Sequence, residues 1–276
     1  LGVAVRIIEG AHIIEEVKKL FIKLNYHPPS LEGISFLEST MEKDEADLAN
    51  ILNKNMDIAS KENRPLCQDC GVAQVFIKIG KHVSFSDSSK LQYLIEKGVE
   101  DAYDEGLLRK STVKDPFERV NEGKNLPVFT YLEECEGDIF EIYGIVKGGG
   151  SENVSSLKML SPSEGREGVA SFVFETLKNA AGKGCPPYFA GIGIGGTFDT
   201  VSILAKKALM ESSNEDTELM EMINEKIKEL DYGILGFPGV SAVKALYIKK
   251  SPTHIAMMPV AVALNCHSYR CGKIEF

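Results

Sequence analysis

The chain has 276 residues, 43% of them hydrophobic, and a formal net charge of −9 from 31 basic and 40 acidic side chains. An acidic chain with no basic run and no tryptophan lacks the electrostatic footprint of a nucleic-acid binder. Its longest apolar run near the C-terminus, "IAMMPVAVAL", is far too short to span a bilayer. The opening "LGVAVRIIEGAHIIEE" has no charged n-region, apolar core or cleavage site of a secretory signal, and it begins at Leu1 without an initiator methionine. A cytoplasmic protein with no membrane or nucleic-acid partner is the expectation.

The first third reads helical. "HIIEEVKKLFIKLN" places Ile13, Ile14, Val17, Leu20 and Phe21 on one face. "KDEADLANILNKNMDIASKEN" follows, with Leu48, Ile51, Leu52 and Met56 at helical spacing. Pro65 then halts the helical pattern. "VAQVFIKIG" alternates like a strand, and "KLQYLIEKGVEDAYDEGLLRK" predicts a helix ending at a basic pair that suits the helix dipole. Two apolar runs around Glu136-Gly137-Asp138 predict a β-hairpin, with Cys135 a structural residue beside the turn. "EGVASFVFETLKNAAGKG" predicts a helix closed by Gly182 and Gly184, and "PPYFAGIGIGG" a short strand entering a glycine loop. Two helices follow, over "TFDTVSILAKKAL" and "NEDTELMEMINEKIKEL", and then two closing strands and a short tail, "CGKIEF". The expected fold is mixed α/β (α+β), with a helix-rich N-terminal half and a small β-sheet surrounded by helices, formed as one continuous domain over 1–276.

Two glycine loops invite a ligand. Gly191, Gly193 and Gly196 satisfy the dinucleotide spacing G-x-G-x-x-G before a helix. The context fails, because a second helix follows where a parallel strand ending in an acidic residue is required. A tight turn packed on the core is the plainer account. The second loop, "KGGGSENVSSLKMLSPSEG", lets backbone approach a ligand closely, and the apolar run behind it is unlike a linker.

Six cysteines, at 67, 70, 135, 185, 266 and 271, are too sparse for a disulfide scaffold. Cys67 in "RPLCQDCG", Cys185 in "GKGCPPYF" and Cys266 in "ALNCHSYRCG" each lie at the end of an apparent element, whereas core cysteines more often sit inside apolar runs. Three thiolates on a cubane cluster leave one iron open, which suits Lewis-acid chemistry on a hydroxy acid. A zinc site pairing Cys67 and Cys70 with Cys266 and Cys271 is the alternative that spacing allows.

Taken together, these blocks resemble the α subunit, or N-terminal domain, of the iron–sulfur hydro-lyases that include class I fumarate hydratase and L-tartrate dehydratase. "RPLCQDCG" is similar to the family's Pro-x-Cys-Gln-Asp-Thr-Gly. "EGLLRKSTVKDPFERVNEGKNLP" is similar to its Leu-Arg, Asp-Pro and Asn-Thr-Pro segment, and "KGGGSENVSSLKMLSPSEG" to its Ser-Glu-Asn loop. "CPPYFAGIGIGGTFDTVSILAKKAL" and "THIAMMPVAVALNCHSYR" resemble its Cys-Pro-Pro block and its last block, ending in Cys-His-x-x-Arg. The blocks run in order from about residue 60 to 270.

The resemblance implies a [4Fe–4S] cluster held by Cys67, Cys185 and Cys266, and a small dicarboxylate substrate. It implies that Gln68, Arg109 and the loop around Gly149 bind the substrate. It also implies that Asp69 and His254 form a polar pair tuning proton transfer; without the family, His254 reads as a satisfied surface residue. Reversible hydration of fumarate to L-malate is the expected reaction, with L-tartrate dehydration to oxaloacetate the alternative within the class. A zinc- or NAD-binding protein and a non-catalytic assembly module are the alternatives outside it. Position 70 is Cys where the family pattern has Thr. One-chain members carry a second domain with further arginines, a lysine and the catalytic base. A separate β subunit is therefore expected, with α–β pairs forming a dimer.

Overall fold

A computed structural model describes residues 5–27, 43–86 and 88–276. Residues 1–4, part of the segment judged against a signal sequence, lie outside the described residues. Among the described residues are seven helices and three sheets, the mixed α/β class the sequence predicts. No helix among them is long and apolar enough to cross a membrane. The chain divides into two compact units, one built from Leu1–Ile34, Lys54–Gly148 and Arg270–Phe276, the other from Ser35–Asn53 and Gly149–Tyr269.

In the first unit, α1 (Gly10–Tyr26) buries Ile13, Val17, Leu20, Phe21 and Leu24, the face its periodicity marks. Helix α2 (Lys43–Glu62), whose first half is assigned to the second unit, departs from the expected pattern. Ile51 is 59% exposed, and Ala49, Leu52 and Ala59 hold the buried positions. Helix α3 (Leu91–Glu105) packs on α1 at Gly98, where a β-carbon would fall 2.8 Å from the Ile14 carbonyl oxygen. It stops short of the expected Arg109–Lys110 terminus. Gly106 caps it, its amide bonding to the Ala102 carbonyl, and Leu107 takes a positive φ of 48°. That left-handed residue turns the chain out of the helix and delivers Arg109 onto a loop.

The hairpin expected around Gly137 does not form. Strand β2 (Val72–Gly80) lies between its two arms, parallel to β4 (Phe129–Cys135) and antiparallel to β5 (Phe140–Lys147). The turn at 136–138 instead closes over the end of β2, where Gly80 donates to the Ile139 carbonyl and His82 to that of Gly137. The reason is burial. Ala73 to Ile77 are all buried, so β2 takes the centre, whereas β4 carries exposed Phe129 and Leu132 and suits an edge. The presumed tail is a strand, β10 (Arg270–Glu275), antiparallel to β5, giving the order β10-β5-β2-β4. A parallel pair, β1 (Arg6–Ile8) with β3 (Val83–Phe85), adds two short strands that sequence reading omitted.

The second unit carries the order β6-β9-β7-β8, built from Ser156–Leu160, Met258–Asn265, Tyr188–Gly196 and Val243–Thr253. The glycine-rich loop at 148–153 becomes one helical turn, α4 (Gly149–Asn153), leading into β6. Helices α5 (Gly165–Ala180), α6 (Thr200–Glu211) and α7 (Thr217–Ile227) pack on the sheet. The N-cap Asp216 of α7 binds Arg166 of α5 at 3.1 Å and Lys250 of β8 at 3.1 Å. Burial pushes its carboxyl up, but hydrogen bonds from Arg166, the Leu219 amide and Lys250 outweigh it and hold the pKa at about 2.

Gly191 and Gly193 lie within β7, not in a phosphate-binding turn. A β-carbon at Gly191 would sit 2.1 Å from the Ala205 carbonyl oxygen, and one at Gly193 2.5 Å from that of Val201. The glycine spacing thus lets α6 lie directly on the strand. Gly193→Ala is expected to lower unfolding free energy by about 2–3 kcal/mol through forced backbone movement, read from the urea midpoint. A depressed folded-state pKa gives stability present above the unfolded value and lost as pH falls through the folded one. The Asp216 contribution should therefore fade between about pH 4 and pH 2, and Asp216→Asn should remove that limb of the acid-denaturation curve.

Candidate active site

Cys67, Gln68 and Asp69 occupy the turn between α2 and β2 in the first unit. The turn is held by backbone acceptors that face inward. Tyr103 Oη donates to the carbonyls of Cys70 (2.5 Å) and Gly71 (3.1 Å), and Asn125 Nδ2 donates to Gly71 at 3.1 Å. From the other side Arg270, 1% exposed, donates through Nη1 to the Asp69 carbonyl and to Asn25 Oδ1, both at 2.9 Å. Asn25 is itself fixed by Nδ2 donating to Phe21 O, and its carbonyl receives the Leu66 amide at 2.8 Å. Asp69 Oδ1 accepts the Gly71 amide at 3.0 Å, the geometry of an Asx turn. Gly148 completes this corner. A β-carbon there would lie 2.9 Å from Asp69 Oδ2 and 3.6 Å from Arg270 Nη2, so a side chain at the first glycine of the run would have to displace the carboxylate.

Arg109 is exposed and reaches back to this turn, Nη1 donating to Gln68 Oε1 at 2.5 Å. Its loop is set by Asn125, whose Oδ1 accepts the Ser111 amide (2.7 Å), the Thr112 amide (3.0 Å) and the Thr112 hydroxyl (3.1 Å). One buried asparagine thus fixes both the cysteine turn and the arginine loop. Cys70, by contrast, is a core residue, 1% exposed. Its Sγ accepts the Arg109 amide at 3.2 Å and lies 3.6 Å from the Cys67 carbonyl. Burial pushes its thiol pKa up, against smaller opposing pulls from the Arg109 amide and the Arg270 charge.

In the second unit Cys185 precedes β7 and Cys266 follows β9. The backbone amide and Nδ1 of His267 both lie within hydrogen-bond distance of the Cys185 carbonyl, at 3.1 and 3.2 Å, so these two cysteine segments are tied to each other. Cys266 Sγ pairs with Ser268 Oγ at 3.1 Å. Tyr188, the first residue of β7, is buried, and its hydroxyl donates to the Ala180 carbonyl at 3.0 Å. Burial raises its pKa, and the charges of Cys185 and Cys266 raise it further. Gly184 has no room for a side chain, since a β-carbon would meet Tyr188 Oη at 2.4 Å. The glycine-rich turn approaches the same place: a β-carbon on Gly150 would be 3.6 Å from the Lys183 carbonyl oxygen. Gly149 opens that turn. Ser155 Oγ pins the turn from behind, donating to the Ser151 carbonyl and accepting the Leu264 amide. His254 stands exposed at the end of β8, its Nδ1 accepting the Ala256 amide at 3.2 Å, so the neutral ring carries its proton on Nε2.

Within neither unit do three His, Cys, Asp or Glu side chains form a metal-holding group among the described residues. The donor chemistry nevertheless separates the cysteines. Cys185 is exposed, Cys67, Cys135 and Cys266 are half-buried, and Cys70 and Cys271 are buried. Burial thus sets Cys70 and Cys271 aside, while Cys67, Cys185 and Cys266 keep the access that thiol ligation of a cluster needs; Cys135, at the end of β4, keeps it too. Sequence reading left Tyr188, Asn125, Asn25 and Tyr103 unassigned. Their signal is only that they are polar residues within or beside apolar runs.

The profile of the fumarate hydratase (Fumerase) family matches residues 14–275. A putative L(+)-tartrate dehydratase subunit alpha from Methanocaldococcus jannaschii is 40% identical over 250 residues, spanning 85% of this chain and 87% of the relative. L(+)-tartrate dehydratase subunits alpha from Escherichia coli and Shigella sonnei are each 34% identical over 230 residues, 80% of this chain and 75% of theirs. These matches define a hydro-lyase alpha subunit. The chain belongs to the class I fumarate hydratase family.

Thiolate fraction and access govern alkylation. In the native apo-protein Cys185 should react with iodoacetamide at least about tenfold faster than Cys70, which has both a raised pKa and no exposure. Peptide mass spectrometry after timed labelling measures the ratio, and equal rates would contradict this ordering.

Proposed function

We propose that this chain is the α subunit of a two-subunit, cytoplasmic [4Fe–4S] hydro-lyase that dehydrates L(+)-tartrate to oxaloacetate. The supporting observation is that the relatives aligned over most of the chain are named for tartrate. Their designation as alpha subunits supports a β-subunit partner, and α–β pairs assemble as a dimer in this reading. Fumarate hydration, the first expectation from sequence, is retained as the second reading because the family profile carries that description.

Cys67, Cys185 and Cys266 hold the cluster in this reading. When bound, a cluster with three protein ligands supplies a Lewis-acidic iron open to a hydroxyl or carboxylate oxygen. The chain's own residues bind and orient. Arg109, already bonded to Gln68, presents a cationic fork to a substrate carboxylate, with Gln68 as its neighbouring amide. The turn at Gly149 brings backbone close to the ligand with no side chain between. Asp69, its Oδ1 engaged by the Gly71 amide, and His254, its proton on Nε2, are the proton-handling groups on this chain. Dehydration removes a proton from one carbon and hydroxide from its neighbour. The resulting enol becomes the keto acid on reprotonation. The β subunit supplies the base that takes the carbon-bound proton.

The test is kinetic. The α–β complex, reconstituted anaerobically with iron and sulfide, should show a kcat/KM for L(+)-tartrate at least about tenfold above that for L-malate, a discrimination a hydroxyl-binding site readily supplies. The opposite ratio returns the protein to fumarate hydration. Arg109→Lys should raise KM about tenfold through loss of the planar fork.

A further inference from the structure

The first turn of α2 carries a carboxylate with no part in the proposed chemistry. Glu45 is 2% exposed. Its Oε1 accepts the Ser241 amide at 2.9 Å and the Ile234 amide at 3.4 Å, and its Oε2 accepts the Val240 amide at 3.3 Å. Gly233 and Gly239 stand where a β-carbon would fall 1.8 Å and 2.5 Å from Oε1. A buried carboxylate persists only where donors are aimed at it. Here three backbone amides and two glycines are arranged around one side chain, so the loop over residues 233–241 is folded onto Glu45.

The other side of that loop touches the cysteine turn. The Leu235 amide donates to the Pro186 carbonyl at 2.9 Å, one residue beyond Cys185. A β-carbon on Gly236 would be 3.3 Å from the Gly182 nitrogen, three residues before it. The Tyr188 amide donates to the Ala242 carbonyl at 2.8 Å, closing the frame where β7 and β8 begin to pair. The loop therefore contacts the chain on both flanks of Cys185, and its conformation depends on the Glu45 carboxylate.

We infer that Glu45 is a positioning residue for Cys185, acting through the 233–241 loop to hold that thiol where a metal cluster is ligated. The inference rests on the reading of Cys185 as a cluster ligand. It is tested on the α–β complex with Glu45→Ala, Glu45→Gln and Cys185→Ser. In the iron-free complex, iodoacetamide labelling of Cys185 should change about tenfold in Glu45→Ala, the scale set by leaving buried amides unpaired, while Cys67 labelling stays at the wild-type rate. In the reconstituted complex, iron release to a chelator should accelerate about tenfold for the same reason, with an altered electron paramagnetic resonance signal of the reduced cluster. Glu45→Gln keeps the Oε1 acceptor and loses only the Val240 bond. It should shift Cys185 labelling about threefold, which preserves the test if the alanine variant does not fold. Wild-type labelling and iron release in the glutamate variants, with cluster loss in Cys185→Ser, overturn the inference and leave the ligand reading standing. A Cys185→Ser complex that keeps its cluster overturns the ligand reading first, and the inference with it.

Discussion

A guanidinium cannot shed its proton inside a protein, and the one on Arg270 lies in the interior of the first unit. Burying such a charge is tolerable only where acceptors surround it. Those acceptors are Asn25 Oδ1 and the carbonyl of Asp69, so the last turn of α1, the first residue of β10 and the turn bearing Cys67 are fastened at one point. A side chain at Gly148 would push on the Asp69 carboxylate, which lies where its β-carbon would approach. With the carbonyls of Asp69, Cys70 and Gly71 all consumed inward, the turn has little freedom left. Gln68 remains exposed and Cys67 half-buried, as the proposed binding role requires.

The second unit reaches a comparable result with packing. Tyr188 is the buried anchor there, and the absence of a side chain at Gly184 lets the chain before Cys185 pass directly over its hydroxyl. The proposed site positions stand where regular structure begins or ends. Gly149 follows β5, Cys185 precedes β7, His254 follows β8 and Cys266 follows β9. Arg109 stands beyond the Gly106 cap of α3. Strand and helix bodies supply rigidity, and their ends supply side chains that are not committed to a core.

Much of this was legible in the sequence where a local rule decided the outcome. The buried face of α1 follows from periodicity, and the placing of three cysteines at element ends follows from their glycine and proline neighbours. The hairpin failed because strand pairing is a competition over the whole sheet. Nothing local to Glu136–Asp138 shows that β2, buried from Ala73 to Ile77, displaces a neighbour from its partner. Strand β10 was missed because six residues with a central glycine carry almost no periodicity; its partner β5 lies far upstream. Asn125 and Glu45 were invisible for a related reason. Each is one polar residue whose work is to satisfy backbone amides distant in sequence, and no spacing announces that.

Cys70 illustrates how a departure from a family pattern is resolved by its surroundings. The sequence offers two sulfurs in C-x-x-C spacing, which suggests a metal pair. The structure gives the second sulfur two backbone neighbours: the amide of Arg109, which it accepts, and the carbonyl of Cys67, toward which it donates. A threonine hydroxyl accepts and donates in the same way, so the thiol can replace it without altering either contact. A thiol is the less polar of the two, which suits a site 1% exposed and packed in the core of its unit. Metal ligation needs the thiolate, and burial raises the pKa of Cys70, working against that form. Its sulfur, moreover, is the acceptor that fixes the backbone of Arg109. Drawing it away toward a metal would release the backbone of the very arginine proposed to bind the substrate, so Cys70 is the seat of the arginine loop, which agrees with the proposal that Cys67 is the ligand of the pair.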